Sequence, residues 1–160
     1  AISVPYCEET MTGFEYAAAV GMLYEGQTKE GLACIENIRN RYDGRKRSPF
    51  DEPECGHHYA RAMSAWSPLL AWNGFDYSAP KRRLSVHPRR MPRTGPFKGF
   101  WSTGTGWGDF VWTRNSLEVR VIEGRLAVDS LVHGGEAIAL GGPRVAEPGK
   151  PLVWTRPAKA

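Results

Sequence analysis

Apolar residues recur at steps of three and four through the first half of the chain, which is the spacing of helices that bury one face. The pattern predicts a helix over residues 12–25. Thr12 and Glu15 fit a capping box at its start, and Gly26 supplies a stop just beyond its end. The residues predicted to share its buried face are Phe14, Ala18 and Met22.

Two further helical patterns follow. The second starts at Thr28 and ends at the Asp43-Gly44 turn. The third starts at Tyr59 and closes at Asn73-Gly74, and Pro68 inside it is predicted to kink or break the helix. The predicted buried faces consist of Leu32, Ile35, Ile38 and Tyr42 in the second helix and of Tyr59, Met63, Trp66 and Leu70 in the third.

The short link between the first two helices forces them to lie antiparallel. The segments before the first and third helices, residues 7–11 and 51–57, are therefore expected at the same end of the helical set. Helix N-termini present amides without intrahelical partners there, so this end is the predicted functional rim.

The second half of the chain has a different pattern. Residues 78–100 are rich in Pro, Arg and Gly and are predicted to form a linker. Beyond them, alternating apolar residues predict short strands, with a hairpin over residues 117–128 that turns at Glu123-Gly124 and an edge strand at Leu152-Val153-Trp154. We therefore predict an α+β fold with helices in residues 1–77, a basic linker in 78–100 and a β-hairpin-rich appendage in 101–160.

Composition narrows the function classes. Hydrophobic residues make up 41% of the chain, yet no apolar run is long enough for a membrane span. The three cysteines are widely spaced without Cys-x-x-Cys, which favours a reducing, cytoplasmic compartment. The start at Ala1 has neither an initiating Met nor a signal-peptide layout, so we expect a piece of a longer protein.

Charge is unevenly distributed. Of the net +4, residues 81–100 contribute seven basic side chains and no acidic one, so the rest of the chain is mildly acidic. This stretch lacks a recognisable RNA- or DNA-binding motif, and we interpret it as a solvated segment rather than a nucleic-acid interface.

The densest chemistry lies in residues 51–61, which combine three carboxylates, a thiol, two imidazoles and an arginine. Glu52 and Glu54 are two apart, so in extended backbone both project to one side, roughly 7 Å from each other. This separation is close to that of the paired catalytic carboxylates of glycosidases. Two solvated acids that balance the charge of the basic residues at 45–47 would have the same sequence pattern.

Arg61 begins the third helix, where its charge opposes the helix macrodipole. A glutamate of the rim or an oxygen-rich ligand would compensate it, and the pattern leaves both open. Cys55, His57 and His58 are too tightly spaced for a structural zinc site, so we predict neither a metal nor a cofactor. His58 is expected either to donate hydrogen bonds at the rim or to cap and pack the helix.

Three consecutive stretches resemble a known family. They are Met11–Tyr16, Ile38–Gly44 and Glu54–Met63, and they are similar to the C-terminal part of the catalytic region of glycoside hydrolase family 116, which includes the non-lysosomal glucosylceramidase and bacterial β-glucosidases. The resemblance covers residues 7–77 well and extends loosely to Trp101–Gly108.

This resemblance implies the last helices of an (α/α)6 barrel and retaining cleavage of β-glucosides. The nucleophile and the acid/base of the family lie upstream, so no catalytic residue is expected in this chain, and the chain alone should be inactive. The family's sugar-binding glutamate and arginine, nine residues apart, correspond to Glu52 and Arg61.

The remaining candidates for sugar binding are Glu54, His58, Glu8 and Glu9, all on the predicted rim. The expected partners are a β-glucoside and the upstream part of the enzyme. The alternative function is a non-catalytic carbohydrate-binding or basic interaction module, which would use the aromatic β half and the basic stretch.

Overall fold

A computed structural model describes residues 10–51 and 60–157, with the side chains of 60–62 excluded. The fold is α+β, as predicted: helices fill the first part and mixed β-sheets the second. The chain divides after Ala71 into two compact units, the α unit and the β unit.

The described part of the α unit contains two packed helices, α1 (Thr12–Tyr24) and α2 (Thr28–Arg41), and a 3₁₀ helix (Ala60–Trp66). A short helix, α3 (Ser67–Asn73), begins in the α unit and continues two residues past the division at Ala71. Gly26 ends α1 with φ +80°, and its N–H donates to Leu23 O (3.2 Å) while the Gln27 N–H donates to Met22 O (2.8 Å). This pair of bonds is a Schellman motif, so the predicted stop at Gly26 is confirmed.

The buried face of α1 differs from the predicted one. Tyr16, Ala19 and Leu23 are buried, whereas Phe14 is 59% exposed. The reason is close approach of the helices, because a Cβ at Gly31 of α2 would lie only 2.9 Å from the Ala19 carbonyl oxygen. The close contact at Gly31 therefore turns the face of α1 that carries Ala19 and Leu23 toward α2. In α2, Ile38 and Tyr42 are buried as predicted, while Leu32 is exposed and Ile35 is half-buried.

The prediction of a capping box at Thr12 is also wrong. Met11 is the N-cap residue and makes no side-chain cap hydrogen bond, and Thr12 is already helical. The Glu15 carboxylate forms an ion pair with Arg41 of α2.

The third helical pattern forms two pieces. A 3₁₀ helix runs to Trp66, and α3 begins at Ser67 with Pro68 in its first turn, so the predicted break at Pro68 is confirmed. Pro68 and Ala71 are buried, whereas the predicted face is exposed, with Met63 at 71% and Trp66 at 69%. The small residues pack inward here as well.

The described part of the β unit has ten strands that share one core. Their bounds are β1 (Phe75–Ser78), β2 (Arg83–Val86), β3 (Phe97–Thr103), β4 (Gly106–Trp112), β5 (Ser116–Gly124), β6 (Leu126–Val128), β7 (Ser130–His133), β8 (Glu136–Ile138), β9 (Arg144–Ala146) and β10 (Leu152–Thr155). The sheets have the orders β1-β2-β7-β8, β10-β5-β4-β3 and β6-β9. All three sheets contribute buried residues to the core, which includes Trp101, Phe110 and Leu131.

The strands of the predicted 117–128 hairpin exist but do not pair with each other. β5 pairs with β4 and β10, and β6 pairs with β9. The turn at Gly124 is present (φ +83°), but the Arg125 N–H donates to the Thr105 carbonyl (3.0 Å) and diverts the chain. The edge strand at residues 152–154 is confirmed as part of β10.

The 78–100 stretch is not a linker in the structure. It contains β2, which pairs in parallel with β7 and buries Leu84 and Val86 completely, and β3 already begins at Phe97. Alternation places the two apolar residues in the core while the basic neighbours Arg82 and Arg83 stay exposed. The linker prediction failed because it rested on the high charge density of the stretch rather than on this alternation.

Candidate functional site

The predicted rim corresponds to the end of the α unit where α1 begins and α2 ends. An ion pair between Glu15 and Arg41 joins the two helices there. Glu15 lies in the first turn of α1 and Arg41 in the last turn of α2, so each charge also complements the dipole of its own helix. Both side chains are about one-third exposed, which makes the pair an anchor of modest strength.

A small cavity of about 40 Å³ lies between residues at the start of α1 and at the end of α2. Its lining consists of Thr12, Tyr16, Ile38, Arg39, Tyr42, Pro49 and Ala65. The Tyr42 hydroxyl is buried and has no hydrogen-bond partner among the described residues. The volume suits water-sized occupants and lies far below the several hundred Å³ of a typical ligand pocket. The described part of this end therefore forms a polar notch, not a complete sugar pocket.

The turn after α2 arranges the basic residues at 45–47. Asp43 Oδ1 accepts hydrogen bonds from the backbone N–H groups of Arg45 and Lys46, both at 2.9 Å. These bonds stabilise the carboxylate and lower the pKa of Asp43. Lys46 Nζ donates to the Asn40 carbonyl (3.1 Å), and the Arg47 guanidinium lies 5.9 Å from the centroid of the Tyr42 ring.

Most of the predicted sugar-binding residues lie outside the described part of the chain. These are Glu8, Glu9, Glu52, Glu54 and His58. Arg61 belongs to the 3₁₀ helix, which packs against α1, but its side chain is not described. The prediction that Glu52 and Arg61 together bind a sugar stays a prediction, with one difference in detail: the helix that carries Arg61 is a 3₁₀ helix.

The β unit contains a buried histidine that sequence reasoning missed. His133 is 1% exposed and lies between the rings of Trp112 (centroid distance 4.8 Å) and Trp154 (4.5 Å). Its Nε2–H donates to the Thr113 carbonyl (2.8 Å), while Nδ1 is buried without a partner among the described residues.

Burial is the largest effect on His133, and it lowers the pKa of the imidazole. The carbonyls of Thr113 and Ser116 act in the opposite direction. The nearby Arg156–Glu136 ion pair (2.8 Å) contributes opposing effects, since Arg156 lowers this pKa and Glu136 raises it. The Nε2–H that donates to a carbonyl and the buried Nδ1 without a partner among the described residues correspond to the Nε2–H tautomer. The sequence signal for this burial is the alternation in Leu131-Val132-His133, which places His133 on the same face of the strand as Leu131.

An aromatic and basic cleft of about 310 Å³ lies elsewhere in the β unit. Its lining consists of Trp72, Arg90, Met91, Pro92, Arg93 and Phe97. Phe97 is buried, so the half-buried Trp72 offers the accessible ring, and both arginines are exposed. The basic stretch of the sequence thus contributes a concave surface as well as a strand.

Within residues 10–51 and 60–157, no group of His, Cys, Asp and Glu side chains is arranged to hold a metal ion. The described helices are all too short or too polar to cross a membrane.

No protein-family model and no curated protein matches this chain. The arguments for function therefore rest on the residues and on the geometry above.

Proposed function

We propose that this chain is the C-terminal part of a retaining β-glycosidase, similar to the family 116 β-glucosidases and glucosylceramidases. In this proposal its helices complete an (α/α)6 barrel, and Glu52 and Arg61 bind hydroxyls of the glucoside. The upstream part of the enzyme supplies the nucleophile and the acid/base, whose carboxyl groups must lie about 5 Å apart in a retaining mechanism.

The observation that carries the proposal is the exposed apolar surface of the α unit. Phe50 is 86% exposed, Met63 71% and Trp66 69%, and Leu69 and Leu70 are exposed beside them. Phe50 lies in the turn region after α2, while the other four belong to the 3₁₀ helix and α3, and exposed large apolar side chains at this density indicate a contact with further protein. A barrel of paired helices would cover such faces with its neighbouring helices.

The proposed chemistry is substrate positioning. A carboxylate at Glu52 can accept hydrogen bonds from two vicinal hydroxyls of a pyranose, and the guanidinium of Arg61 can donate to the same ring. Such contacts hold the anomeric carbon in line with the catalytic carboxylates and reduce the entropic cost of reaction. Glu54, His58, Glu8 and Glu9 are second-rank contributors on the same rim.

The test uses the enzyme that joins this chain to its upstream part. Glu52→Gln or Arg61→Ala should lower kcat/KM for an aryl β-glucoside by about 10- to 100-fold, the loss expected for one charge-assisted hydrogen bond of about 1.5–3 kcal/mol. The matched controls are Glu36→Gln and Arg114→Ala, which alter exposed residues outside the rim and should leave kcat/KM unchanged.

Deoxyglucosides sharpen this test. A substrate that lacks the hydroxyl bound by Glu52 should lose rate with the unaltered enzyme but lose little more with Glu52→Gln, because the two changes remove one contact. Additive losses for every deoxyglucoside, or unchanged kinetics in both variants, would contradict the assignment. The chain on its own should not hydrolyse the substrate.

The second candidate function is a carbohydrate-binding or basic interaction module, favoured by the cleft of Trp72, Arg90 and Arg93. An indole face can stack on a sugar ring, and two exposed guanidinium groups suit an anionic polymer. Binding of heparin or DNA that weakens steeply with salt, and that is lost in Arg90→Gln/Arg93→Gln, would favour this function. Glucoside binding that survives this double substitution would favour the glycosidase.

A further inference from the structure

A second cleft of about 310 Å³ in the β unit has a different chemical character. Its polar lining residues are Tyr77, Arg82, Thr105 and Arg125, and its apolar ones are Ala79, Ala127 and Val145. The volume is at the lower end of the range for small-molecule sites. Among the described residues, the lining includes two guanidinium groups and no carboxylate, and the Asp129 carboxylate, outside the lining, lies 3.8 Å from Arg82.

Arg82 has an unusual backbone conformation for a residue with a side chain. Its φ is +41°, and it is the one described residue other than glycine with a positive φ. Its N–H donates to Ala79 O (3.3 Å), and its carbonyl accepts hydrogen bonds from the N–H groups of Asp129 (2.8 Å) and Ser130 (3.3 Å). A glycine would make the same three bonds without steric cost, so the turn itself does not explain an arginine here.

The backbone of Arg125, the second arginine of the lining, is fixed by hydrogen bonds. Its N–H donates to Thr105 O (3.0 Å), and the Thr105 hydroxyl donates to Arg125 O (2.9 Å). The preceding Gly124 allows this close approach, because a Cβ there would lie 2.2 Å from the Thr105 carbonyl oxygen. Two backbone contacts therefore fix the origin of the side chain at the cleft.

Both guanidinium groups retain donors for a ligand. Within the described residues, the Arg125 side chain makes no ion pair or hydrogen bond, and Arg82 makes a single long contact of 3.8 Å to Asp129 Oδ1. Each guanidinium has five N–H donors in a planar fork that matches the oxygens of an oxyanion. The Tyr77 hydroxyl donates to Ala127 O (2.6 Å), so it can offer only its lone pairs to a ligand.

We propose that this cleft binds a small molecule through a phosphate group held between Arg82 and Arg125. The donor set favours a phosphomonoester over a monocarboxylate, because two guanidinium forks can bind the three terminal oxygens of a phosphate, whereas a carboxylate offers only two. The methyl groups of Ala79, Ala127 and Val145 would contact the less polar part of the ligand. This site is independent of the proposed glycosidase rim, which lies in the α unit.

The test is calorimetric titration of the whole chain with inorganic phosphate, glucose 6-phosphate and acetate at low ionic strength. Phosphate and glucose 6-phosphate should bind saturably at millimolar concentrations, and acetate should bind more weakly. Arg82→Asn and Arg125→Gln should each weaken phosphate binding about tenfold or more, the loss expected for a charge-assisted contact. Asn tolerates the left-handed backbone, so Arg82→Asn should keep the unaltered melting temperature.

The matched control is Arg114→Gln, which removes the same charge from an exposed position outside the cleft and should leave phosphate affinity within about twofold, because Arg114 does not line the cleft. Equal weakening in this control would show that binding follows net charge and would overturn the site. No saturable binding of phosphate would overturn it too. Acetate binding as tight as phosphate binding would overturn the assignment of a phosphate group.

Discussion

Replacement of the buried His133 by glutamine tests the β-unit core through its pH dependence. In the folded protein the ring is packed between Trp112 and Trp154, and Nε2–H donates to the Thr113 carbonyl. Gln has an amide N–H at a similar reach, so His133→Gln can keep this hydrogen bond but loses both ring contacts. We expect a loss of about 1–3 kcal/mol in the free energy of unfolding, from two aromatic contacts of about 0.5–1.5 kcal/mol each.

The pH dependence has a definite sign. The ordinary pKa of histidine is 6.5, and burial lowers it in the folded state. Between these two pKa values the unfolded chain binds more protons, so the free energy of unfolding falls as pH falls, by up to about 1.4 kcal/mol per pH unit. Above the unfolded pKa, and below the folded one, this group contributes no further change.

The assay is urea unfolding at about pH 7.5 and about pH 5.5, which lie on either side of the ordinary histidine pKa. Near-ultraviolet circular dichroism reports mainly on the β unit, because five of the six tryptophans belong to it. The unaltered chain should lose stability at the lower pH, and His133→Gln should lose clearly less. The control is His87→Gln, which alters an exposed histidine and should keep the full pH dependence. An equal loss in His133→Gln and the unaltered chain would refute the reasoning.

Three further changes test the packing of both units. Gly31→Ala should destabilise the α1–α2 pair by about 1–3 kcal/mol, because the new Cβ would meet an α1 carbonyl. Gly21→Ala places its Cβ in open space and should stabilise the pair by about 0.5–1 kcal/mol. Thermal unfolding followed by far-ultraviolet circular dichroism measures both effects, and equal changes in stability would contradict this reasoning. Trp101→Phe should cost about 1–3 kcal/mol in urea unfolding, because its buried indole N–H donates to two backbone carbonyls, and a neutral result would contradict that role. Arg41→Gln should cost less than about 1 kcal/mol, since its ion pair with Glu15 is partly exposed, and high salt should reduce the difference further; a larger loss that salt does not change would argue against screening.

The limits of the helices were readable from the sequence because local chemistry determines them. Gly26, the Asp43-Gly44 turn and Pro68 each act on their own backbone, and all three predicted boundaries hold. The buried faces were not readable in the same way. Counting apolar residues favoured Phe14 in α1, whereas the structure buries Tyr16, Ala19 and Leu23, because the close approach at Gly31 puts Ala19 at the contact between the helices.

Strands were likewise easier to predict than their partners. Alternation identified β5 and β6, but pairing depends on residues far along the chain, and β6 pairs with β9 rather than with its neighbour. The strand that buries Leu84 and Val86 was not predicted, because the neighbouring arginines in the sequence indicated a solvated segment. The left-handed conformation of Arg82 has no local sequence signal at all, since arginine rarely adopts it.

The parallel pairing of β2 with β7 has a consequence for how the β unit assembles. β3, β4 and β5 form a meander of adjacent strands that can assemble through short loops, whereas β2 must wait until β7 is available. On a ribosome, Leu84 and Val86 would emerge long before their partner strand, and one edge of β2 would stay open to other chains in that interval. The slowest folding step, and the best opportunity for a chaperone, should therefore be the closure of this pair, because contacts between distant residues form late.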